Sequence, residues 1–218
     1  MKPIEVRREK VIFVEGQDEC GFFEALLNNM AIADVQVIDY GGKSSLDAER
    51  FRTLLYTPGF AAVRAYVLTR DADHDEKAAL SSLQYVLQQN DQPVPARAGA
   101  YAVRDRRSVG IYVLPGDGPG MLEDLCLRTA TGHAAMPCVD AYMACLQRAL
   151  PPKPAERAWN GREAWFPRLP SKARCQTFLA AMYEPEPRLG VAARQGHWDM
   201  GHPALNDLKA FLEHLRLV

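Results

Sequence analysis

Three acidic side chains follow two short apolar runs of the chain. Glu15 comes directly after the run at residues 11–14, and Asp71 and Asp73 follow the run at residues 63–68. Short runs rich in β-branched residues predict buried strands of a parallel sheet. Functional side chains of open α/β sheets lie at the carboxyl ends of the strands. We therefore expect these carboxylates to converge and to share a divalent cation, because like charges in one place repel each other.

The Asp71/Asp73 pair has two interpretations. Alternating residues of an extended segment point to the same side, so both carboxylates could face one ion. The alternative is an Asp-rich turn that leads into a helix, with Asp75 as its N-terminal cap. Glu15 alone is equally compatible with a surface carboxylate at the end of a strand.

The elements that must position these residues alternate between strand and helix. Strands are predicted at residues 10–14, 35–40 and 63–69, and helical apolar spacing follows at residues 17–30, up to 55, and at 76–89. This order predicts an α/β fold with a mostly parallel, Rossmann-like sheet flanked by helices. Two further strands, at residues 100–103 and 109–114, are close enough in sequence to form a hairpin. Helices are predicted from about 121, at 139–149, at 171–183 and at 206–217.

The second part of the chain has a different composition. Five prolines fall between residues 151 and 170, which predicts an irregular segment that serves as a lid, a partner site or a tether. We expect an α/β core at residues 1–150. The Pro-rich segment and the C-terminal helices, residues 151–218, are expected to form a helical and irregular extension packed on the same domain.

Composition excludes little about function. The 218 residues include 26 basic and 27 acidic side chains, so the formal net charge of −1 neither indicates a nucleic-acid-binding protein nor excludes a local basic patch. Five scattered cysteines show no zinc-ligand spacing. Together with the lack of a signal peptide, this predicts a cytoplasmic protein. No apolar stretch approaches the roughly 20 residues that span a membrane.

Other charged residues are weaker candidates. Glu123 and Asp124 follow a Gly-rich loop at the end of another predicted strand, although acidic residues are common in the first turn of a helix. A basic cluster in the predicted hairpin could hold a nucleic-acid backbone, or it could be an ordinary solvated turn. It consists of Arg104, Arg106 and Arg107. Lys43, in a Gly-Gly-Lys turn, is a further candidate for contact with a phosphate.

These motifs resemble the Toprim domain, which occurs in topoisomerases, bacterial primases and the overcoming-lysogenization-defect (OLD) nucleases. The resemblance depends on Val-Glu-Gly-x-Asp at residues 14–18 and Asp-x-Asp at residues 71–73. More narrowly, the chain is similar to small stand-alone Toprim-like proteins of undefined function. The motifs shared with that group are at residues 110–115, 120–124 and 198–205.

The resemblance implies roles for individual residues. Glu15, Asp71 and Asp73 would bind Mg2+ or Mn2+, and Glu15 would also act catalytically in proton transfer. Glu123 and Asp124 would help to bind a second metal ion. Two further residues complete the set: Asp18 as an auxiliary metal ligand, and Lys172 as a catalytic group that assists phosphate chemistry. A solvated helix position is the alternative for Lys172.

The resemblance predicts a Mg2+-dependent, nuclease-like enzyme that cleaves phosphodiesters of DNA or RNA. Phage defence is one setting for such proteins, with a partner ATPase. That ATPase would be a separate chain, because this sequence has no Walker A motif. Two alternatives remain open, a non-catalytic metal- or nucleic-acid-binding regulatory module and a purely structural α/β domain. The sequence leaves the oligomeric state open.

Overall fold

A computed structural model describes residues 4–42, 46–154 and 164–218. Within these residues the strands form one five-stranded sheet in the order β2-β1-β3-β5-β4. The strands are β1 (Lys10–Val14), β2 (Val35–Asp39), β3 (Ala65–Asp71), β4 (Ala100–Arg104) and β5 (Arg107–Leu114). β1, β2, β3 and β5 run parallel, whereas β4 pairs antiparallel with β5 at one edge. The predicted fold class, a mostly parallel α/β sheet flanked by helices, is confirmed.

Helices cover both faces of the sheet. They are α1 (Gln17–Asn29), α2 (Ala48–Leu55), α3 (Glu76–Gln89), α4 (Leu122–Thr129), α5 (Met136–Ala149), α6 (Pro170–Ala180), α7 (Leu189–Arg194) and α8 (Asn206–Leu217). Every residue of β1 is buried, because strands in the middle of such a sheet have a helical layer on each side. This explains why the central strands read as continuous apolar runs.

Two apolar clusters form the core. One contains side chains of α2 and α3 packed on one face of the sheet. The other contains side chains of α1, α4 and α5 on the opposite face, and it continues into α6, α7 and α8 through residues such as Phe178, Trp198 and Leu212. Side chains from beyond residue 150 are therefore part of the same cluster as β1. The division of the chain at residue 150 itself stays a prediction.

Three differences between the predicted and the observed elements affect the candidate site. β3 continues to Asp71, two residues past its predicted end, because it pairs with β5 along its whole length. α6 begins at Pro170, so Ser171 is not the N-terminal cap; its hydroxyl donates to Asp124 instead. The six-residue helix α7 was not predicted at all. Part of the Pro-rich segment, residues 155–163, lies outside the described residues.

Among the described residues, no helix is both long enough and apolar enough to cross a membrane.

Candidate active site

The register of the sheet brings Glu15 and Asp71 together. Phe13 pairs with Leu68 across β1 and β3, which places Glu15 level with the last two residues of β3. The backbone N–H of Asp71 donates to Glu15 Oε1 at 3.3 Å. The two acidic residues predicted to meet at the carboxyl ends of these strands therefore do so.

Glu15 also lies against a buried arginine. Arg70 is only 4% exposed, and its Nε is 3.8 Å from Glu15 Oε1. The other end of the guanidinium donates to Ser82 Oγ at 2.6 Å, which fixes its direction. A buried arginine is tolerated in a core when it is paired with acidic or other acceptor groups. Arg70 is therefore placed to orient the Glu15 carboxylate.

Asp71 is a buried acid whose neighbours are also acidic. Its Oδ1 accepts a hydrogen bond from the backbone N–H of Leu122 at 3.0 Å. Burial raises the pKa of Asp71 well above its usual range, and the negative charges of Glu15, Glu19 and Glu123 raise it further. These four carboxylates, Glu15, Glu19, Asp71 and Glu123, are called the acidic centre below.

Glu19 belongs to this centre, whereas its neighbour Asp18 was the residue predicted as an auxiliary metal ligand. Burial raises the pKa of Glu19 to about 6, with further contributions from Glu15, Glu123 and Asp18. The signal was available in the sequence: Glu19 lies in the first turn of the helix that directly follows Glu15. Asp18 has a different contact, since its Oδ1 accepts from the backbone N–H of Gly190 in α7 at 3.0 Å.

Lys172 faces the acidic centre from α6. Its Nζ is 3.3 Å from Oε1 of Glu123, whose side chain is only 10% exposed. Partial burial lowers the pKa of Lys172, but the charge and hydrogen bond of Glu123 outweigh it and the pKa is raised. A cavity of about 540 Å³ brings these groups together, lined by Glu15, Asp18, Glu19, Glu123 and Lys172 and by residues of α7. We call it the α7 cavity.

Asp73 and Asp124 line a second cavity, of about 430 Å³, together with His74 and several arginines. We call it the α6 cavity. Asp124 Oδ2 accepts from the N–H of Met121 at 2.9 Å, and its Oδ1 accepts from the Ser171 hydroxyl at 2.5 Å. Of the two acidic residues predicted as a second metal site, Glu123 therefore lies in the acidic centre and Asp124 lies on the other side of α4.

The backbone explains why Asp73 does not follow Asp71. Asp73 has a φ of 51°, which is left-handed rather than extended, so the alternation assumed for the pair ends with β3. Its N–H and C=O are both bonded to Gly120 at 2.8 Å, in the loop after β5. Gly120 has a φ of 138°, which favours glycine at this point.

The candidate nucleic-acid contacts lie far from the acidic centre or outside the description. Lys43 is outside the described residues. Arg104, Arg106 and Arg107 occupy the β4–β5 turn, at the opposite end of β5 from the strand ends that carry the site. Arg104 pairs with Asp91 at 3.1 Å, and Arg107 lies over the ring of Phe60. Their role in nucleic-acid binding stays a prediction.

The chemistry of the acidic centre fits a divalent cation better than its present geometry does. Carboxylate oxygens are the ligands that Mg2+ and Mn2+ prefer, and mutual repulsion favours a cation between them. In the described part of the chain, however, no three His, Cys, Asp or Glu side chains are grouped so that they could hold a metal ion. Binding would therefore require side-chain rotation in the acidic centre.

Comparison with known proteins places the chain in a family. The model of the family described as "Protein of unknown function (DUF3226)" matches residues 9–217. The chain belongs to the DUF3226 family. No curated protein matches this DUF3226 chain.

Solved structures similar to the DUF3226 chain include C-terminal regions of OLD proteins. The C-terminal region of the Xanthomonas campestris pv. campestris OLD protein is 15% identical, with a TM-score of 0.45, over 96% of this chain and 95% of that chain. The C-terminal region of the Burkholderia pseudomallei OLD protein is also 15% identical, with a TM-score of 0.41, over 97% and 98% of the two chains.

Proposed function

We propose that this DUF3226 protein is a Mg2+- or Mn2+-dependent enzyme that cleaves phosphodiesters of DNA or RNA, with a Toprim-like site. One observation supports the proposal above the others. Four carboxylates lie near the carboxyl ends of β1 and β3 and beside α4, and the pKa of two of them is raised. Three of the four line an open cavity together with Lys172, which contacts Glu123. Perturbed acidic groups in a cleft are typical of functional sites.

The residues divide the chemistry between them. Glu15, Asp71 and Glu123, with Glu19 beside them, would hold the cation. When bound, the cation would neutralise charge on a phosphate and promote ionisation of water. Lys172 is placed to contact a phosphate oxygen, since its half-exposed side chain lines the α7 cavity. Glu15, held by Arg70, is placed to accept a proton.

A second function remains a candidate because of a specific observation. Lys172 already neutralises Glu123 through an ion pair at 3.3 Å, which favours a module that binds metal or nucleic acid without cleaving it. Such a module would keep the acidic centre and Lys172 as a binding surface. Cleavage assays separate the two functions.

The decisive assay is a cleavage screen on single-stranded and structured DNA and RNA, with Mn2+, Mg2+ or EDTA. We expect the wild type to cut at least one substrate only with a divalent cation, and Glu15→Gln to lose about 100-fold or more of that rate. Glu49→Gln removes the same charge from an exposed position on α2 and should cut like the wild type. A wild type that binds but never cuts would favour the binding module.

The wider setting is part of the same proposal. A nuclease of this kind would act on nucleic acid in the cytoplasm, in phage defence, under the control of an ATPase on a separate chain. Co-purification from cells that express the tagged protein would identify such an ATPase. Its presence should change the cleavage rate in the assay above.

A further inference from the structure

We propose that a nucleic-acid backbone crosses the acidic centre from the α7 cavity to the α6 cavity, along arginines that stand on both sides of it. The inference rests on the proposed function, and it names the surface that would hold the substrate. We call the two cavities with their arginines the track. The nucleic-acid contacts predicted from the sequence, Lys43 and the arginines of the β4–β5 turn, are not part of it.

The two cavities are neighbours, because at two points of the chain consecutive residues line one cavity and then the other. Glu123 lines the α7 cavity, and the next residue, Asp124, lines the α6 cavity. In the same way Ser171 lines the α6 cavity and Lys172 lines the α7 cavity. The hydrogen bond between Ser171 and Asp124 and the ion pair between Lys172 and Glu123 join α4 to α6. These α4–α6 contacts therefore lie between the two cavities, and a nucleic-acid chain that occupied both would have to cross them.

Arginines border the track on both sides of the α4–α6 contacts. Arg188 and Arg194 line the α7 cavity, and their side chains are 69% and 48% exposed. Arg128, Arg168 and Arg174 line the α6 cavity. The basic groups of the track are thus spread along its length, whereas the acidic centre occupies its middle.

The arginines of the track keep donors for a ligand although four of the five have acidic neighbours. Arg128 contacts Asp117 through Nη1 alone. Arg188 uses Nε and Nη2 to bind Glu186 at 2.8 and 2.7 Å. Arg194 contacts Glu24 through Nη1, and Arg174 contacts Asp140 through Nε. A guanidinium has five N–H donors, so each of these pairs leaves donors that can meet a phosphate. The pairs also fix the direction in which each side chain extends.

The position of α7 relative to the acidic centre is fixed by close packing. A Cβ on Gly21 of α1 would lie 2.4 Å from the carbonyl oxygen of Gly190, so the two helices touch through their backbones. The Asp18 carboxylate binds the Gly190 N–H across the same contact. Since α1 also carries Glu19, the arginines of α7 and the acidic centre are held by one rigid junction.

The positions of the arginines, rather than the net charge, indicate where a polyanion would bind. The whole chain has a net charge of −1, so general attraction is weak and local arginines decide where a backbone binds. The β4–β5 turn carries three arginines as well, but it lies at the opposite end of β5 from the acidic centre. The track also leads a phosphodiester past Lys172, which the turn does not.

The test is a binding measurement under conditions without cleavage. Fluorescence anisotropy would follow labelled single-stranded DNA and RNA of about 20 nucleotides, in EDTA and in Ca2+, for the wild type and three matched double variants. These are Arg188→Gln/Arg194→Gln, Arg168→Gln/Arg174→Gln and, as control, Arg104→Gln/Arg106→Gln. Each variant removes two positive charges.

We expect both track variants to bind about tenfold more weakly at low salt, and to lower the slope of log affinity against log salt by about 1.4. The control should bind like the wild type. The matching Arg→Lys variants should retain most of the affinity, which separates loss of charge from loss of structure. The inference is overturned if the control loses as much affinity as the track variants, if only one side of the track matters, or if the wild type does not bind.

This outcome is independent of the cleavage assay. If the wild type cuts with Mn2+ and the track variants cut with unchanged KM, the track is wrong and the proposed enzyme survives. If the track variants lose affinity and the wild type never cuts, the track stands and the catalytic proposal fails.

Discussion

At the scale of single residues, the negative charge of Asp71 is unfavourable because the carboxylate is buried among other acids. Its carboxylate is pushed toward the protonated form by burial and by three neighbouring acids, while the Leu122 N–H partly offsets this. A group that is unfavourable for folding in the absence of a ligand is typical of a binding site, since stability and function often compete there. The buried charges of Asp71 and Glu19 lead to one prediction each.

Asp71→Asn should raise the melting temperature in metal-free buffer at pH 8. The amide oxygen can still accept the Leu122 N–H, but the buried negative charge is gone. For a chain of this size the rise is roughly 2–4 °C for each kcal/mol gained. Asp34→Asn is the matched control with the opposite sign, because the hydrogen bond and charge of Lys10 lower the pKa of Asp34. An Asp71→Asn protein that melts earlier than the wild type would contradict the account.

Glu19 should make stability depend on pH in metal-free buffer. Its pKa is raised to about 6 by burial, from an ordinary value of 4.5. Between these values the unfolded chain loses its proton and the folded chain keeps it, so stability falls as pH rises from about 4.5 to about 6. A tenfold change in proton affinity is worth about 1.4 kcal/mol, so the loss is at most about 2 kcal/mol. Urea titrations of the wild type and Glu19→Gln at several pH values would measure it; equal pH profiles would contradict this role.

Part of this site could be predicted from the sequence. The positions of Glu15 and Asp71 followed from two buried strands, because parallel strands bring their carboxyl ends to one edge. Asp73 was placed with Asp71 on the assumption of an extended backbone, but its left-handed φ depends on pairing with Gly120, 47 residues away in sequence. Arg70 could not be anticipated, since a charged residue inside a strand gives no sign of which acid it meets.

At the scale of elements, α7 decides the shape of the site and could not be predicted. It is only six residues long and contains a glycine, so local propensity does not indicate it. It is held by contact with α1 over Gly21 and Gly190 and by Asp18. Long-range packing of this kind leaves no periodic pattern in one segment of the sequence. By contrast, α3 and α8 have full apolar stripes and their predicted bounds were confirmed.

Gly21→Ala should destabilise the protein by about 1–3 kcal/mol, as overpacking does in well-packed cores. The added Cβ would lie 2.4 Å from a backbone oxygen that cannot rotate away. Gly132→Ala is the control, because a Cβ there meets nothing within 4 Å. Chemical denaturation of the two variants would test the α1–α7 junction, and equal stabilities would show that the helices separate easily.

Asp18 allows the metal-ligand and structural roles to be separated. Asp18→Asn keeps an oxygen that can accept the Gly190 N–H but removes the charge, whereas Asp18→Ala removes both. If Asp18 anchors α7, Asp18→Asn should retain most of the cleavage activity, and Asp18→Ala should lower both activity and melting temperature. Equal, severe loss of activity in both variants, with unchanged melting temperatures, would instead favour a metal ligand.

At the scale of the whole molecule, the C-terminal helices complete the core on one face of the sheet. Phe178, Trp198 and Leu212 are buried in the same apolar cluster as Ile12 and Val14 of β1. Trp198 stacks on Phe178 with a ring separation of 5.3 Å. The site is completed in the same way, since Lys172 comes from α6 and Arg188 directly precedes α7.

A fragment of residues 1–150 should therefore fail to fold cooperatively. Removal of the remaining residues would expose the apolar face of α1 and α4, which the free energy of a small domain cannot sustain. Circular dichroism and thermal melting of the fragment and the full chain would test this. A sharp melting transition of the isolated fragment would show that the first 150 residues form an independent domain.

The central claim, that the acidic centre is a divalent-cation site, can be measured without any substrate. Titration of Mn2+ into the full chain, followed by the electron paramagnetic resonance signal of free Mn2+, counts bound ions directly. We predict saturable binding of at least one Mn2+ by the wild type and by Glu49→Gln, and weakening of about tenfold or more in Asp71→Asn and in Glu15→Gln. Binding that is absent in the wild type, or unchanged in both acidic-centre variants, would contradict the claim.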